Sequence, residues 1–344
     1  MRVLITGHRG YVGSVMATVL RNLRFEVVGL DSDLYRGCDF GRVRDTDESY
    51  CVDLRDIEFT DLLSFDAVVH LASLPEDAPA ELNLSLIREI NEEATVHLAE
   101  CCKRAGVSRF LYASSASVYG GDDGRPIGED RPLHPTTPDG VSKLRCESVL
   151  ARLADASFTT VFLRHAEVYG VSPRLRTDPI VNQFVASAMT TGRVNVPGRG
   201  HGWRSVVHVE DLARTYAAML MAPEEIVHNQ AFNVAATSEN HRVIEIADAV
   251  TELVPECTKR LSPNLFSDPG CRLDGSKLML AVPKLSFRWT MQDGIRQLRN
   301  ALRSCGLTPA DLRSDRFQRS SRLRTLIERN ELDATLRLPA SVLV

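Results

Sequence analysis

The chain has 344 residues, 44% of them hydrophobic and 25% charged, a composition that supports one large core or two modest ones. A formal charge of −4 gives no footing for nucleic acid or an anionic membrane surface. No apolar run approaches the roughly 20 residues that span a bilayer. The first residues run straight into an apolar strand with no signal peptide ahead, so a cytoplasmic location is expected. The eight cysteines form no C-x-x-C pair and read as scattered thiols. The nine histidines show no metal-ligand spacing, so no metal is expected.

Taken in chain order, short apolar runs at 2–6, 25–30, 67–72, 109–115 and 159–164 predict strands. Helical periodicity at 12–24, 84–105 and 140–154 predicts the helices between them. Alternation of this kind predicts an α/β fold, a doubly wound parallel sheet with helices on both faces. Beyond residue 170 prolines and glycines break the rhythm, and helical patterns recur at 180–191, 209–221, 242–253, 273–281 and 291–305. The tail after Gly306 is arginine-rich, and its Leu323, Leu326 and Ile327 suit an amphipathic helix packed on the body or on a partner, or a solvated one.

Three segments carry chemistry. Thr6-Gly7-His8-Arg9-Gly10-Tyr11-Val12-Gly13 places three glycines between the first strand and the first helix. Glycines there permit a tight turn and close backbone approach, and the helix start faces a phosphate. The second strand ends at Asp31, where an acid accepts hydrogen bonds from both hydroxyls of a ribose and repels a 2′-phosphate, favouring NAD over NADP. The other two segments are Ala113-Ser114-Ser115-Ala116-Ser117-Val118-Tyr119-Gly120 and Pro138-Asp139-Gly140-Val141-Ser142-Lys143.

Together these segments resemble the extended short-chain dehydrogenase/reductase family, the NAD-dependent epimerase/dehydratase group. The resemblance implies a Rossmann sheet with a smaller C-terminal substrate-binding lobe. The implied division is 1–170 for the NAD-binding part (with returning segments around 205–235), 171–305 for the interleaved lobe and 306–344 for a helical tail. It also implies that Asp53 and Leu54 meet the adenine, that Leu71, Ala72 and Ser73 cradle the pyrophosphate and nicotinamide ribose, and that Asn91 belongs to the same site. A homodimer through the helices at 84–105 and 140–154 is implied as well.

The family's proton carrier is a tyrosine four residues before the lysine, and here that position is Asp139. Ser115 and Lys143 match the family's catalytic serine and lysine. A carboxylate is shorter than a phenol and a weak base at neutral pH. Asp139 therefore reads first as a helix cap or an ion-pair partner of Lys143, four residues on. Glu167 stands where the family has an asparagine that contacts the nucleotide, and an anion there repels a diphosphate. Either Glu167 or His165 is a candidate for the lost acid/base function, or both serve only local structure. Ser117, Tyr119, Glu167, Arg204 and Arg272 are the expected substrate contacts, the arginines suiting an anionic ligand.

The leading expectation is NAD-dependent epimerisation of a nucleotide-linked sugar or related polyol through transient oxidation. An atypical dehydratase, lyase or oxidoreductase and a non-catalytic NAD-binding partner are the alternatives.

Overall fold

The computed structural model describes residues 1–41, 46, 48–74, 84–121, 124–262 and 270–337. The first half runs β1 (Arg2–Thr6), α1 (Tyr11–Asn22), β2 (Glu26–Asp31), β3 (Glu48–Cys51), β4 (Ala67–His70), α2 (Leu84–Arg88), α3 (Ala94–Ala105), β5 (Arg109–Ser115), α4 (Pro138–Leu153) and β6 (Thr159–His165). There follow β7 (Glu167–Tyr169), α5 (Ile180–Thr191), β8 (Arg193–Pro197), β9 (Trp203–His208), α6 (Val209–Met221), α7 (Glu224–Val227) and β10 (Gln230–Val234). The last elements are β11 (Asn240–Arg242), α8 (Val243–Leu253), β12 (Thr258–Ser262), β13 (Gly270–Cys271), α9 (Ser276–Ala281), α10 (Met291–Cys305) and α11 (Arg319–Glu328).

Seven strands form one sheet in the order β10-β6-β5-β4-β1-β2-β3. Every neighbouring pair in it is parallel. Side chains alternate across it: Val3 and Ile5 pack with Met16 and Leu20 of α1 and Tyr216 of α6, while Leu4 packs with Leu98 of α3 and Leu150 of α4. Burial on both faces is why these strands read as continuous apolar runs. The chain leaves β1 towards β2 and β3, then returns to β4 on the other side of β1. Such a reversal opens a crevice at the carboxyl ends of the strands, where doubly wound sheets bind ligands.

A separate apolar cluster joins Phe184 of α5, Ile246 of α8 and Ile295 of α10. Beside it β9 pairs with β7, β11 and β13, and β12 pairs with β8. Among the described residues no helix is long and apolar enough to cross a membrane.

Two departures from the sequence reading matter for the site. The helix expected at 84–105 is broken by a π-turn at Glu89–Glu93, which carries Asn91. The helix expected from residue 140 begins at Pro138, because Thr137 caps it by accepting from Gly140 N at 3.2 Å. Proline suits the first helical position, where its missing N–H has no partner to lose.

Candidate active site

The crevice between β1 and β4 opens into a cleft of about 730 Å3, including its mouth, lined at its centre by Gly7, Gly10, Leu71, Ala72 and Ser73. Gly7 has φ +74°, and a Cβ there would lie 2.9 Å from Ala72 N. A Cβ on Gly13 would lie 2.1 Å from Gly7 O. Only glycine lets the turn close against β4 and lets α1 start against the turn, aiming the helix start into the cleft. The Tyr11 side chain points elsewhere: its hydroxyl donates to Gly170 O at 2.8 Å and accepts from Asn182 Nδ2 at 3.1 Å. Val12 is half-buried and packs between two apolar clusters.

Asp31 sits at the β2 side, its two carboxylate oxygens accepting from Arg9 N at 2.9 Å and Asp33 N at 2.8 Å. Asp53 and Leu54 line the same end. Burial would raise the Asp53 pKa, but two side-chain hydrogen bonds and the backbone N–H of Arg55 hold it below the usual carboxylate range. Asn91 acts one step back. Its amide accepts from Leu74 N at 2.7 Å and donates to Leu74 O at 3.2 Å, so the π-turn clamps the loop that lines the cleft.

At the β5 end, Ser115 Oγ accepts from Ser117 N at 3.1 Å, and Ser117 Oγ donates to Asp139 Oδ2 at 3.3 Å. Lys143, one turn along α4, donates to Ala113 O at 2.9 Å and lies over the Tyr112 ring. The ion pair expected between Asp139 and Lys143 does not form. The lysine stem swings under β5 while the aspartate turns to Ser117. Asp139 is not the cap either, since Thr137 holds that position.

The remaining expected residues are drawn into local structure. His165 Nε2 bonds Tyr216 Oη at 2.8 Å, and burial, then the Lys143 charge, pushes its pKa down to about 3. It is a neutral ring held by α6. The Glu167 carboxylate accepts from Ile180 N, the first residue of α5, at 2.5 Å and lies 3.5 Å from Arg204 Nε. Tyr119 is buried: it donates to Asn233 Oδ1 at 2.7 Å and accepts from Arg164 Nη1 at 2.9 Å. Burial pushes its hydroxyl up to about 12, against the pull of Arg164. The hydroxyl expected among the substrate contacts is thus engaged by Asn233 and Arg164 in the body of the protein. Arg204 donates to Trp203 O at 2.8 Å, and Arg272 lies over the Trp203 indole at 4.5 Å, with Arg242 also over that ring at 5.0 Å.

The buried pair behind Tyr119 was missed by sequence reasoning. Arg164 of β6 forks onto Glu147 of α4, Nε to Oε1 at 3.0 Å and Nη2 to Oε2 at 2.7 Å, and Ser114 Oγ adds a third bond at 2.5 Å. The signal was present: an arginine inside an otherwise apolar strand demands a buried anion.

The model of the NAD dependent epimerase/dehydratase family matches residues 3–235. The chain belongs to that family. UDP-glucose 4-epimerase of Bacillus subtilis is 28% identical over 330 residues, 87% of this chain and 94% of the relative. The structure of MoeE5 in complex with UDP-glucuronic acid and NAD superposes with a TM-score of 0.77 at 27% identity, covering 88% of this chain and 99% of MoeE5. TunA, an NAD dependent NDP-hexosamine 5,6-dehydratase, shares the fold at 24% identity and TM-score 0.78, over 88% of this chain and 98% of TunA.

Membership makes this an NAD-dependent enzyme of epimerase/dehydratase type. The cleft fits the cofactor: the backbone is bare where a Cβ would clash, and an oriented carboxylate stands at the β2 end. When bound, NAD supplies a hydride acceptor. Asp31, Asp53 and Leu54 at the β2–β3 end would hold the adenosine half, and Leu71, Ala72 and Ser73 beyond β4 would hold the rest of the cofactor.

Proposed function

We propose that the chain inverts a hydroxyl-bearing carbon of a nucleotide-linked sugar, through a transient ketone that is reduced again from the opposite face. NAD is then restored within each turnover. The substrate class is supported by the UDP-glucose 4-epimerase and by MoeE5, whose structure holds UDP-glucuronic acid. Arg204 and Arg272, gathered around Trp203, are the groups for the anionic nucleotide part.

The observation that carries the reading is the Ser117–Asp139 hydrogen bond beside Ser115 and Lys143. A carboxylate at 139 falls short of the place a phenol oxygen would reach, and Ser117 spans that gap. Ser117 Oγ takes the proton of the sugar hydroxyl while passing its own to Asp139, and the relay reverses when the ketone is reduced. Ser115 donates to the reacting oxygen, and Lys143 holds the ribose end of the cofactor. Glu167 and His165, tied to α5 and to Tyr216, are then positioning residues and not the replacement base.

The test is a panel of UDP-sugars offered to the NAD-loaded protein, with inversion followed by proton NMR and reduced nicotinamide by absorbance. Ser117→Ala and Asp139→Asn should each lower kcat by about 10²-fold or more while NAD binding is kept. Full activity in both variants would exclude the relay. No inversion of any UDP-sugar by the parent would exclude the substrate class. We also propose a homodimer through α2, α3 and α4, to be checked by sedimentation.

A further inference from the structure

The tail beyond α10 returns across the molecule to the adenosine end of the cofactor cleft. Arg319 of α11 is buried, donates to Arg174 O at 2.9 Å and lies over the Tyr35 ring. Arg322 donates to Arg36 O at 2.8 Å, and Arg316 to Asp39 O at 2.7 Å. These contacts fasten the tail to the loop that follows β2 and, through Arg174, to the segment between β7 and α5. Leu323, Leu326, Leu332 and Leu336 then share one apolar cluster with Leu74 and Leu86.

The final turn is tightly built. Asp333 Oδ1 accepts from Thr335 N at 2.8 Å and Arg337 N at 2.9 Å, and Leu336 is held at φ +59°. Two contacts tie that turn to the strand-end residues of the cleft. Arg55, which grips Asp53, also donates to Thr335 O at 3.0 Å, and Arg337 pairs with Asp56. As a result Leu336 itself lines the cleft, near Leu54, Leu74 and Ile90. A tail that merely capped the apolar surface would have no need of a side chain in that opening. A flat, weakly polar ring is the part of the dinucleotide that such a lining accepts.

We propose that the turn at residues 332–337 is a wall of the adenine pocket, and that NAD enters and leaves only when this turn lifts. Leu336 is thus a cofactor-binding residue contributed by the tail, and the Arg337–Asp56 and Arg55–Thr335 contacts set how long the cofactor stays.

The test uses the full-length protein freed of cofactor, with NAD and ADP binding measured by calorimetry and NAD release by stopped-flow fluorescence. Leu336→Asp should weaken both NAD and ADP by roughly tenfold or more and speed release in proportion. Arg337→Glu should speed NAD release, and adding Asp56→Arg should slow it again. The thermal midpoint of the cofactor-free protein separates a wall from a brace. A lowered midpoint with NAD and ADP affinities unchanged in Leu336→Asp would overturn the proposal. So would an Arg337→Glu variant that releases NAD at the parent rate.

Discussion

Glu167 offers the sharpest test of the proposed substrate site, because its removal should move two observables in opposite directions. Its carboxylate caps the start of α5 through Ile180 N and faces Arg204 at 3.5 Å, with the two side chains 20% and 29% exposed for Arg204 and Glu167 respectively. The helix-start bond contributes about 0.5–2 kcal/mol, and the partly exposed ion pair adds at most about 1 kcal/mol. Glu167→Ala should therefore cost about 1–2 kcal/mol. At an unfolding entropy of about 2.1 cal/mol/K per residue, that lowers the melting midpoint by roughly 1.5–3 °C. Glu167→Gln keeps an acceptor for Ile180 N and should lose less than half of that. For ligand binding the sign reverses. If Arg204 holds a phosphate, the Glu167 charge, 3.5 Å from that guanidinium, repels it by roughly 1–2 kcal/mol once salt screening is included. Glu167→Gln should then bind UDP about 5–30-fold more tightly, from a screened 1–2 kcal/mol. Calorimetric titration of UDP into NAD-loaded protein reads the affinity, and differential scanning calorimetry reads the midpoint. UDP affinity that falls together with stability would refute the reasoning, because Glu167 would then be a ligand group and not a competitor.

Other expectations follow from the same contacts. Glu147→Ala leaves Arg164 buried without its fork and should cost about 3–5 kcal/mol, read as a fall in the denaturation midpoint. A loss under about 1 kcal/mol would mean that water or a neighbour replaces the carboxylate. His70, buried between Thr6 and Thr95, has its pKa pushed down to about 3 by burial and then by the Lys143 charge. Its folded value lies below its unfolded one, so the stability it contributes is whole above pH 6.5 and lost as pH falls towards 3. The slope approaches about 1.4 kcal/mol per pH unit below 6.5. His70→Gln should flatten the midpoint–pH curve between pH 7 and 5, and an unchanged curve would place the acid sensitivity elsewhere.

Most of the fold was legible because its signals are local. Strand β5, helices α5 and α6 and helix α10 fall where apolar periodicity alone places them, since each needs only its own face to be read. The glycine turn was legible for the same reason: the clash between a Gly13 Cβ and Gly7 O spans six residues. Site roles were harder. Asp139 looked like a cap because helix starts favour acids, yet Thr137 two residues earlier takes the cap and frees the carboxylate for Ser117. Tyr119, just after a strand, was expected among the substrate contacts, and only the Arg164–Glu147 pair shows why it turns inward.

The sequence by itself determined that the chain builds a dinucleotide cradle, that Asp31 closes the second strand, and that the usual tyrosine is an aspartate. Those are properties of short segments whose backbone conformation and chemistry come from their own residues. Only the tertiary structure decided what the aspartate touches, that Glu167 serves α5 and Arg204, and that the tail reaches the cofactor cleft. Ser117 and Asp139 are 22 residues apart, and Arg55 and Thr335 are 280 apart. Contacts over such separations depend on how helices stack on the sheet, and no local pattern encodes them.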